Sequence, residues 1–524
     1  MSDEVGGMAV GVGKPARVGM PARVGMSADE DKAARVAADL RSRGVAVVAL
    51  TWVDNSGITR VKGVPVGRLE HAVRAGIGAS PVFDAFGLTD AIASGRYAGG
   101  PVGDLRLRPD LDRLVPLAAQ PGWAWAPADR FDQLGRPHPQ DAREALRREI
   151  DALGGFLGGI GLQARAGIEI EWTVYPETYP EASQPGSALE LPELPELPKP
   201  AARGPAYGMD RVIELSDYLH DVVQALTEQG LVVEQIHPEY APGQFEVSVA
   251  PEDPLGAADS SVLVRQTVRA VGARHRLRTS FSPAVAPGGV GNGGHVHLSL
   301  GIADAQRWNA LVDGMGPAGL SGLGEGFAAG ILAHLPALLA VGAPSVASYL
   351  RLAPSRWAGA FACWGVENRE AALRLVTGLA VGGRSVHSPD VEADLGVKID
   401  LERWAAASPH LEIKCFDLTA NPYLLLAGLL AAGRSGLTAR DARLPEPVDV
   451  DPAALPEDER ARRGIAALPA RLADAVTAFE GDSVLLDAFG PELHDTIAVV
   501  RRAEIALFAD AAPDEIVAQT LWRH

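Results

Sequence analysis

The sequence predicts an α+β fold divided into at least two domains. Three observations carry that expectation. At 524 residues the chain is longer than one hydrophobic core organises. Strand-like and helix-like runs alternate irregularly along it, unlike the regular rhythm of a doubly wound sheet. Its first folded segment is a series of short strands separated by turn residues, the pattern of a small α+β domain of roughly 100 residues.

Composition narrows the function. Hydrophobic residues make up 47% of the chain, and 66 acidic against 48 basic residues leave a net charge of −18. That balance excludes a nucleic-acid or membrane-surface partner. Two cysteines, Cys363 and Cys415, cannot build a disulfide framework or a cysteine-type zinc site, so a reducing compartment is expected. The best bilayer-spanning candidate, Ala328–Val341, contains His334 and Pro336 and falls short of the roughly 20 apolar residues a span needs. The expectation is a cytoplasmic protein without a membrane partner.

Residues 1–30 are rich in Gly, Val and Met, and PARVGM occurs twice in tandem (Pro15–Met20 and Pro21–Met26). Lacking the cationic-then-apolar pattern of a signal peptide, they read as a disordered tail. A true start at Met20 or Met26 is an equal reading. The small N-terminal domain is placed at 31–132. There Lys32–Arg43 has helical spacing, Val45–Asp54 is a strand closed by the Asn55-Ser56-Gly57 turn, and the following ITRVKGVPV returns as a second strand. Further short strands are expected at Asp104–Pro109 and Trp123–Pro127.

The large domain is placed at 133–524. It opens with a helix over Asp141–Leu153 and a single strand over Leu162–Tyr175. Residues 176–203, with ELPELPELPKP, cannot bury a core and read as an exposed insertion. Helices are expected at Asp217–Gly230, Val264–Leu277 and Gly324–Leu339, the last stopped near Pro344. HLEIKCFD is a strand, NPYLLLAGLLAAG a buried helix entered through Asn421-Pro422, and Pro452–His524 is mostly helical.

The chemistry-bearing residues come in small groups, each weak alone. In AGIEIEW, Glu169 and Glu171 are two apart on a strand and face one side. Two adjacent anions on an apolar strand require a cation or a proton, unless this is the solvent face of an edge strand. Glu239 and Glu246 flank a Pro242-Gly243 bend that lets both converge, although a surface loop would look the same. His295 and His297 share one strand face after the GGVGNGG loop, whose glycines let backbone approach a substrate or merely make it mobile. Glu412 and Lys414 share a strand face. Arg351, Arg369 and Arg374 lie in one arginine-rich region suited to phosphate or carboxylate, with a surface ion pair the default for any single one.

Taken together and in order, the E-x-E pair, HPEYAPGQFE, GNGGHVHLS, RLAP, NREAALR, LEIKCFD and NPY resemble the glutamine synthetase family from about residue 40 to the C-terminus. The resemblance implies a β-grasp N-terminal domain and a glutamine synthetase-type catalytic domain. It implies that Glu171, Glu239 and Glu246 hold a metal on the amino-acid side, and Glu169, His295 and Glu412 a second on the ATP phosphates. Oxygen-rich ligation with one histidine suits Mg²⁺ or Mn²⁺, two or more per site. Arg369 and Arg374 match arginines on the transferred phosphoryl group, with Arg374 also reaching the nucleotide. Arg351 matches the arginine on the α-carboxylate of glutamate, and Gly291 a loop glycine near its amino group. His297 and Ser299 fall on the nucleotide side.

Departures from the family pattern concern the substrate. Trp357 stands where glutamine synthetases carry a glutamate beside the ammonium site. The aspartate–serine segment serving ammonium from the neighbouring subunit reads FDAFG, keeping only Asp84 as a catalytic candidate. Lys414 replaces an arginine, and Val290 an asparagine that Asn292 could supply by a shift of register. The resemblance therefore implies an ATP-dependent ligase joining glutamate to an amine larger than ammonia through γ-glutamyl phosphate, as in the γ-glutamylpolyamine and γ-glutamylethanolamide branches. Glutamine synthetase itself and a non-catalytic member are the alternatives. It also implies a homo-oligomer, a dodecamer of two hexameric rings.

Overall fold

A computed structural model describes residues 28–156, 161–177, 197–302, 309–312, 314–377, 380–381, 384–385, 409–439 and 441–524. Residues 1–27 of the expected tail and 178–196 of the expected insertion lie outside the described residues.

The N-terminal domain is built on Val47–Val53 (β1), whose residues are almost all buried because it lies inside its sheet and is covered on both faces. The antiparallel β2 (Thr59–Pro65) flanks it on one side and the parallel β6 (Trp123–Phe131) on the other. β4 (Leu105–Pro109) and β3 (Ile77–Ala79) complete the row, and β5 (Val115–Pro116) adds to β6. Val48, Leu50, Trp52 and Leu107 pack with Ala37 and Leu40 of the Ala28–Ser42 helix into a core of their own.

The C-terminal domain contains a four-stranded and a six-stranded sheet and a helical layer. The expected single strand over Leu162–Tyr175 is two: β7 (Leu162–Ile168) and β8 (Ile170–Pro176). They belong to different sheets: the bond from the Glu169 N–H to the carbonyl of His295 (3.0 Å) is the last rung of the ladder between β7 and the strand Val296–Ile302, and from Ile170 onward the chain pairs with the strands Gln244–Val249 and Leu277–Ser280 instead. Uninterrupted apolar content on both sides of Glu169 hid the break. One sheet runs β11–β8–β10–β9, with β9 at Val233–Pro238, β10 at Gln244–Val249 and β11 at Leu277–Ser280. The other runs β18–β13–β14–β17–β12–β7. Its members are β12 (Val296–Ile302), β13 (Phe361–Val366), β14 (Ala371–Val376), β17 (His410–Ile413) and β18 (Ala466–Ala467). β15 (Ala380–Val381) and β16 (Arg384–Ser385) pair separately.

Several helices begin where sequence chemistry dictates. Asp141 caps Ala142–Gly154 through the N–H of Arg143. The helix expected at Val264–Leu277 runs from Pro254 to Arg274, capped by Asp253 with Pro254 in the first turn, and Leu277 belongs to β11 instead. Gly322–Gly342 is 21 residues long, more than the Gly324–Leu339 expected, and among the described helices it alone is long and apolar enough to cross a bilayer. It is mostly buried, lying so close to Pro422–Thr438 that a Cβ at Gly330 would sit 2.2 Å from the Ala432 carbonyl. Asn421 caps that second helix and also donates to the carbonyls of Val53 (3.0 Å) and Asp54 (3.2 Å). One side chain thus pins the catalytic core to the end of β1.

Candidate active site

Strand register assembles the site from separate parts of the chain. Across β8–β10–β9, Glu171 stands opposite Glu246, and Glu246 opposite His237. Across β12–β17–β14, His297 stands opposite Glu412, and Glu412 opposite Arg374. Each row shares a face because directly paired residues point the same way. Glu169 and His295, at the ends of β7 and β12, sit where the two sheets meet. Apart from His297, the members of both rows line one cleft of about 530 Å³.

His295 stands between the rows. Its Nδ1 is 2.9 Å from Glu169 Oε2 and 3.7 Å from Glu412 Oε1, while Nε2 is 3.1 Å from Arg351 Nη2 and 3.8 Å from Glu171 Oε1. Since Arg351 only donates, Nε2 accepts and the ring proton is on Nδ1, donated to Glu169. Glu171 accepts from the backbone N–H of Gly293 and the Gln244 amide, both at 2.8 Å. Glu239 accepts from the Tyr207 hydroxyl (2.8 Å) and the Tyr240 N–H (3.1 Å). Lys414 reaches Glu412 at 2.9 Å, and Arg374 bridges Glu412 and Glu367.

The two halves differ electrostatically. Burial pushes Glu246 up, to about 7, reinforced by Glu169, Glu171 and Glu239 and opposed by its contact with His237. Glu239 rises through burial and the nearby Glu171. His237 is raised by its contact with Glu246. On the other side burial would raise Glu412, but Lys414 with His295 and His297 outweighs it and holds the carboxyl at about 2. Against burial, hydrogen bonds from His295 and His297 hold Glu169 well below the usual carboxylate range. One half is an acid cluster short of cations, and the other is already compensated.

That imbalance fits a divalent cation. Three groups offer ligand atoms within 4.8 Å of one another: Glu169–His295–Glu412, Glu171–Glu246–His295 and His237–Glu239–Glu246. Two further observations favour metal. The buried Nδ1 of His237 forms no hydrogen bond among the described residues. A Cβ at Gly293 would lie 2.6 Å from His295 Nε2, 2.8 Å from Arg351 Nη2 and 2.9 Å from Glu171 Oε1, so three functional groups aim at a space only glycine leaves open. Carboxylate oxygens with imidazole nitrogen are the donor set of Mg²⁺ or Mn²⁺ in a catalytic site.

The structure brings most sequence candidates together. Glu169, Glu171, Glu239, Glu246, His295, Glu412, Gly291, Arg351, Trp357, Arg369, Arg374 and Lys414 all line the cleft. His297 and Ser299 instead line an adjoining pocket of about 310 Å³, which shares Glu169 and Gln235 with it. Asp84 lines neither. It is buried in the N-terminal domain, paired with Arg130 and with His138 at 3.2 Å. Asn292 makes no shift of register: its amide accepts from Thr173 and donates to the carbonyls of Ser280 and Ser282, leaving Val290 to line the cleft. Sequence reading missed His237, Tyr207, Tyr240, Gln244 and Gly293. His237, Tyr240 and Gln244 belong to HPEYAPGQFE, and the alternation of β9 and β10 was the signal for His237. Tyr207 follows the Pro/Glu-rich run and carries no signal.

Comparison with known proteins places this architecture. Residues 32–134 match the glutamine synthetase N-terminal domain, and 139–393 with 397–518 match the glutamine synthetase catalytic domain. The chain belongs to the glutamine synthetase family. It is 47% identical to a gamma-glutamylpolyamine synthetase of Streptomyces coelicolor, over 94% of this chain and 97% of that one. It is 30% identical to a glutamine synthetase of Methanocaldococcus jannaschii, over 80% and 83% of the two chains. Among solved structures it is similar to a novel glutamine synthase homolog (TM-score 0.74, 33% identity, covering 92% and 99%). It also resembles an ADP complex of GmaS (TM-score 0.71, 27% identity, covering 91% and 96%).

Proposed function

We propose that this protein is an ATP-dependent ligase that joins the γ-carboxylate of glutamate to an amine larger than ammonia through γ-glutamyl phosphate. The observation that carries the reading is Trp357. An indole on the cleft wall stands where glutamine synthetases place a carboxylate for ammonium, and an indole neither accepts a proton nor pairs with NH₄⁺ as a carboxylate does. Its apolar face suits a carbon-bearing amine instead. Similarity to a gamma-glutamylpolyamine synthetase supports the same direction.

The residues divide into roles. Arg351 is placed for the α-carboxylate of glutamate, with Gly291 and Lys414 beside it. Glu171, Glu239 and Glu246 would hold one metal ion and Glu169, His295 and Glu412 another, with His237 adjoining the first. Metal there supplies charge neutralisation for phosphoryl transfer. Arg369 and Arg374 bring fixed cations to the transferred phosphoryl group, and His297 and Ser299 line the adjoining pocket in which the nucleotide is placed.

Phosphate release measured with glutamate, ATP and a panel of amines tests the reading. Faster turnover with ammonia than with every organic amine would overturn it in favour of glutamine synthetase, the second reading. Glu239 favours that second reading, since it keeps a carboxylate in the cleft beside the Tyr207 hydroxyl. The family resemblance supports a homo-oligomer of two hexameric rings in which Asp84 serves a neighbouring subunit's site; native mass spectrometry would count the subunits. Both cysteines are buried and free, in keeping with a cytoplasmic location.

A further inference from the structure

Two large aromatic side chains stand exposed on the wall of an otherwise charged cleft. Trp357 keeps 43% of its surface and Tyr240 46%, and their rings meet at 5.1 Å between centroids, tilted by 56°. Tyr240 adjoins Glu239, whose carboxylate also accepts the Tyr240 N–H, so the rings begin where the acid cluster ends. Exposed aromatic faces beside carboxylates form the chemistry that recognises a cation carried on hydrocarbon.

The position of the indole is constrained. Trp357 has φ +55° and Ser355 φ +56°, a left-handed backbone that bulky side chains adopt only when their surroundings hold them there. Glu370 accepts the Trp357 N–H at 2.8 Å. Asn368 in turn accepts the Glu370 N–H and donates to the carbonyls of Val448 and Val450, while Ser355 donates to Asp451 at 2.8 Å. The loop bearing the tryptophan is therefore stapled at both ends to the 448–451 segment.

We propose that Trp357 and Tyr240 form an aromatic clamp selecting a diamine or polyamine, a primary amine whose alkyl chain carries a second ammonium group, with Glu370 as the residue that positions Trp357. The proposal rests on the ligase reading above. The reacting nitrogen must enter neutral, near Glu239, whereas the distal nitrogen remains protonated. That second charge lies over the ring faces, and the methylene chain covers the indole. A monoamine of equal length buries the same hydrocarbon but lacks the cation.

The test is steady-state phosphate release by the full chain with glutamate, ATP and Mg²⁺, varying ammonia, butylamine, 1,4-diaminobutane and spermidine. Wild-type enzyme should prefer the diamine over butylamine by about tenfold in kcat/KM, the scale of one or two cation–aromatic contacts. Trp357→Leu and Tyr240→Leu should each compress that ratio to about twofold or threefold through the amine KM, leaving the glutamate KM in place. Glu370→Ala should compress it too, and Glu370→Gln should restore it, because the amide oxygen still accepts the Trp357 N–H. Equal use of butylamine and the diamine by wild type, or an unchanged ratio in both leucine variants, overturns the clamp while leaving the ligase reading intact. Glu370→Gln as poor as Glu370→Ala overturns the positioning role. Ammonia as the best substrate, or no turnover with any amine, overturns the ligase reading itself.

Discussion

Replacing Glu246 by glutamine should stabilise the metal-free protein and remove its response to metal. Glu246 faces Glu171 across one strand pair and His237 across the next, and burial with three neighbouring carboxylates pushes it from 4.5 up to about 7. At 1.36 kcal/mol per pKa unit, and with the His237 contact already counted in that shift, ionised Glu246 costs the folded state roughly 3 kcal/mol. Because the folded carboxyl titrates above the unfolded one, the cost is absent below about pH 4.5, grows as pH rises, and is complete above pH 7. In EDTA at pH 8, Glu246→Gln should therefore melt about 2–3 °C above wild type, and at pH 4.5 the two should coincide. Titrating Mg²⁺ or Mn²⁺ should reverse the order. Wild type gains about 2.7 kcal/mol at a hundredfold excess over Kd, and the variant, lacking one ligand, gains far less. Melting curves across both titrations decide it. A variant less stable than wild type in EDTA at pH 8, with an equal rise on adding metal, would refute the reasoning.

Three further outcomes are expected. Gly293→Ala puts a methyl within 2.9 Å of His295, Arg351 and Glu171, so it should abolish ligase activity at a stability cost of about 1–3 kcal/mol, read by turnover and denaturant titration. Asn421→Ala removes a helix cap and two hydrogen bonds to β1 and should cost about 2–3 kcal/mol, seen as a lower urea midpoint. Asp84→Asn leaves Arg130 buried and underpaired. Burial opposes ionised Asp84, but Arg130 and His138 hold its carboxyl below 3.8, so the stability it contributes is present above that pH and lost as pH falls. The variant should be about 3 kcal/mol less stable at pH 7, with the gap closing under acid in paired denaturation curves.

Much of this was legible in the sequence, for identifiable reasons. Glu169, Glu171, Glu239, Glu246, His295 and Glu412 lie in short segments whose side-chain alternation already sets their facing, so all six reach one cleft. The break at Glu169 was illegible because the strands that pair on either side of it, β12 before and β10 after, are distant in sequence. The extra ten residues at the start of Pro254–Arg274 were missed although Asp253-Pro254 is a local helix-start signal. Asn292 illustrates the opposite error. The family pattern suggested that it supplies, by a shift of register, the asparagine missing at Val290, whereas its amide satisfies buried carbonyls that only the folded chain brings near. Tyr207 had no signal, since its partner Glu239 is supplied by a strand turn elsewhere.

The division of labour between the sheets explains why the carboxylates stay close despite their repulsion. The β8–β10 ladder sets the Glu171–Glu246 spacing and the β10–β9 ladder the Glu246–His237 spacing, and neither can slip by one residue without turning its buried face outward. Where the sheets meet, the Glu169-to-His295 backbone bond closes the β7–β12 ladder beside the start of β8, and β8 is tied to the loop before β12 by Thr173 and Asn292. Backbone hydrogen bonds distributed over many residues thus hold the acid cluster, and no single side-chain rotation relieves it. The wall bearing Trp357 is built differently: its loop is held by a few side-chain bonds, whereas Tyr240 sits in the turn between β9 and β10. On the proposed reading, substitutions at Trp357 should therefore alter which amine is accepted without disturbing the register of the acid cluster. The acid cluster is fixed by the sheets, and the proposed selectivity lies where the fold has less at stake.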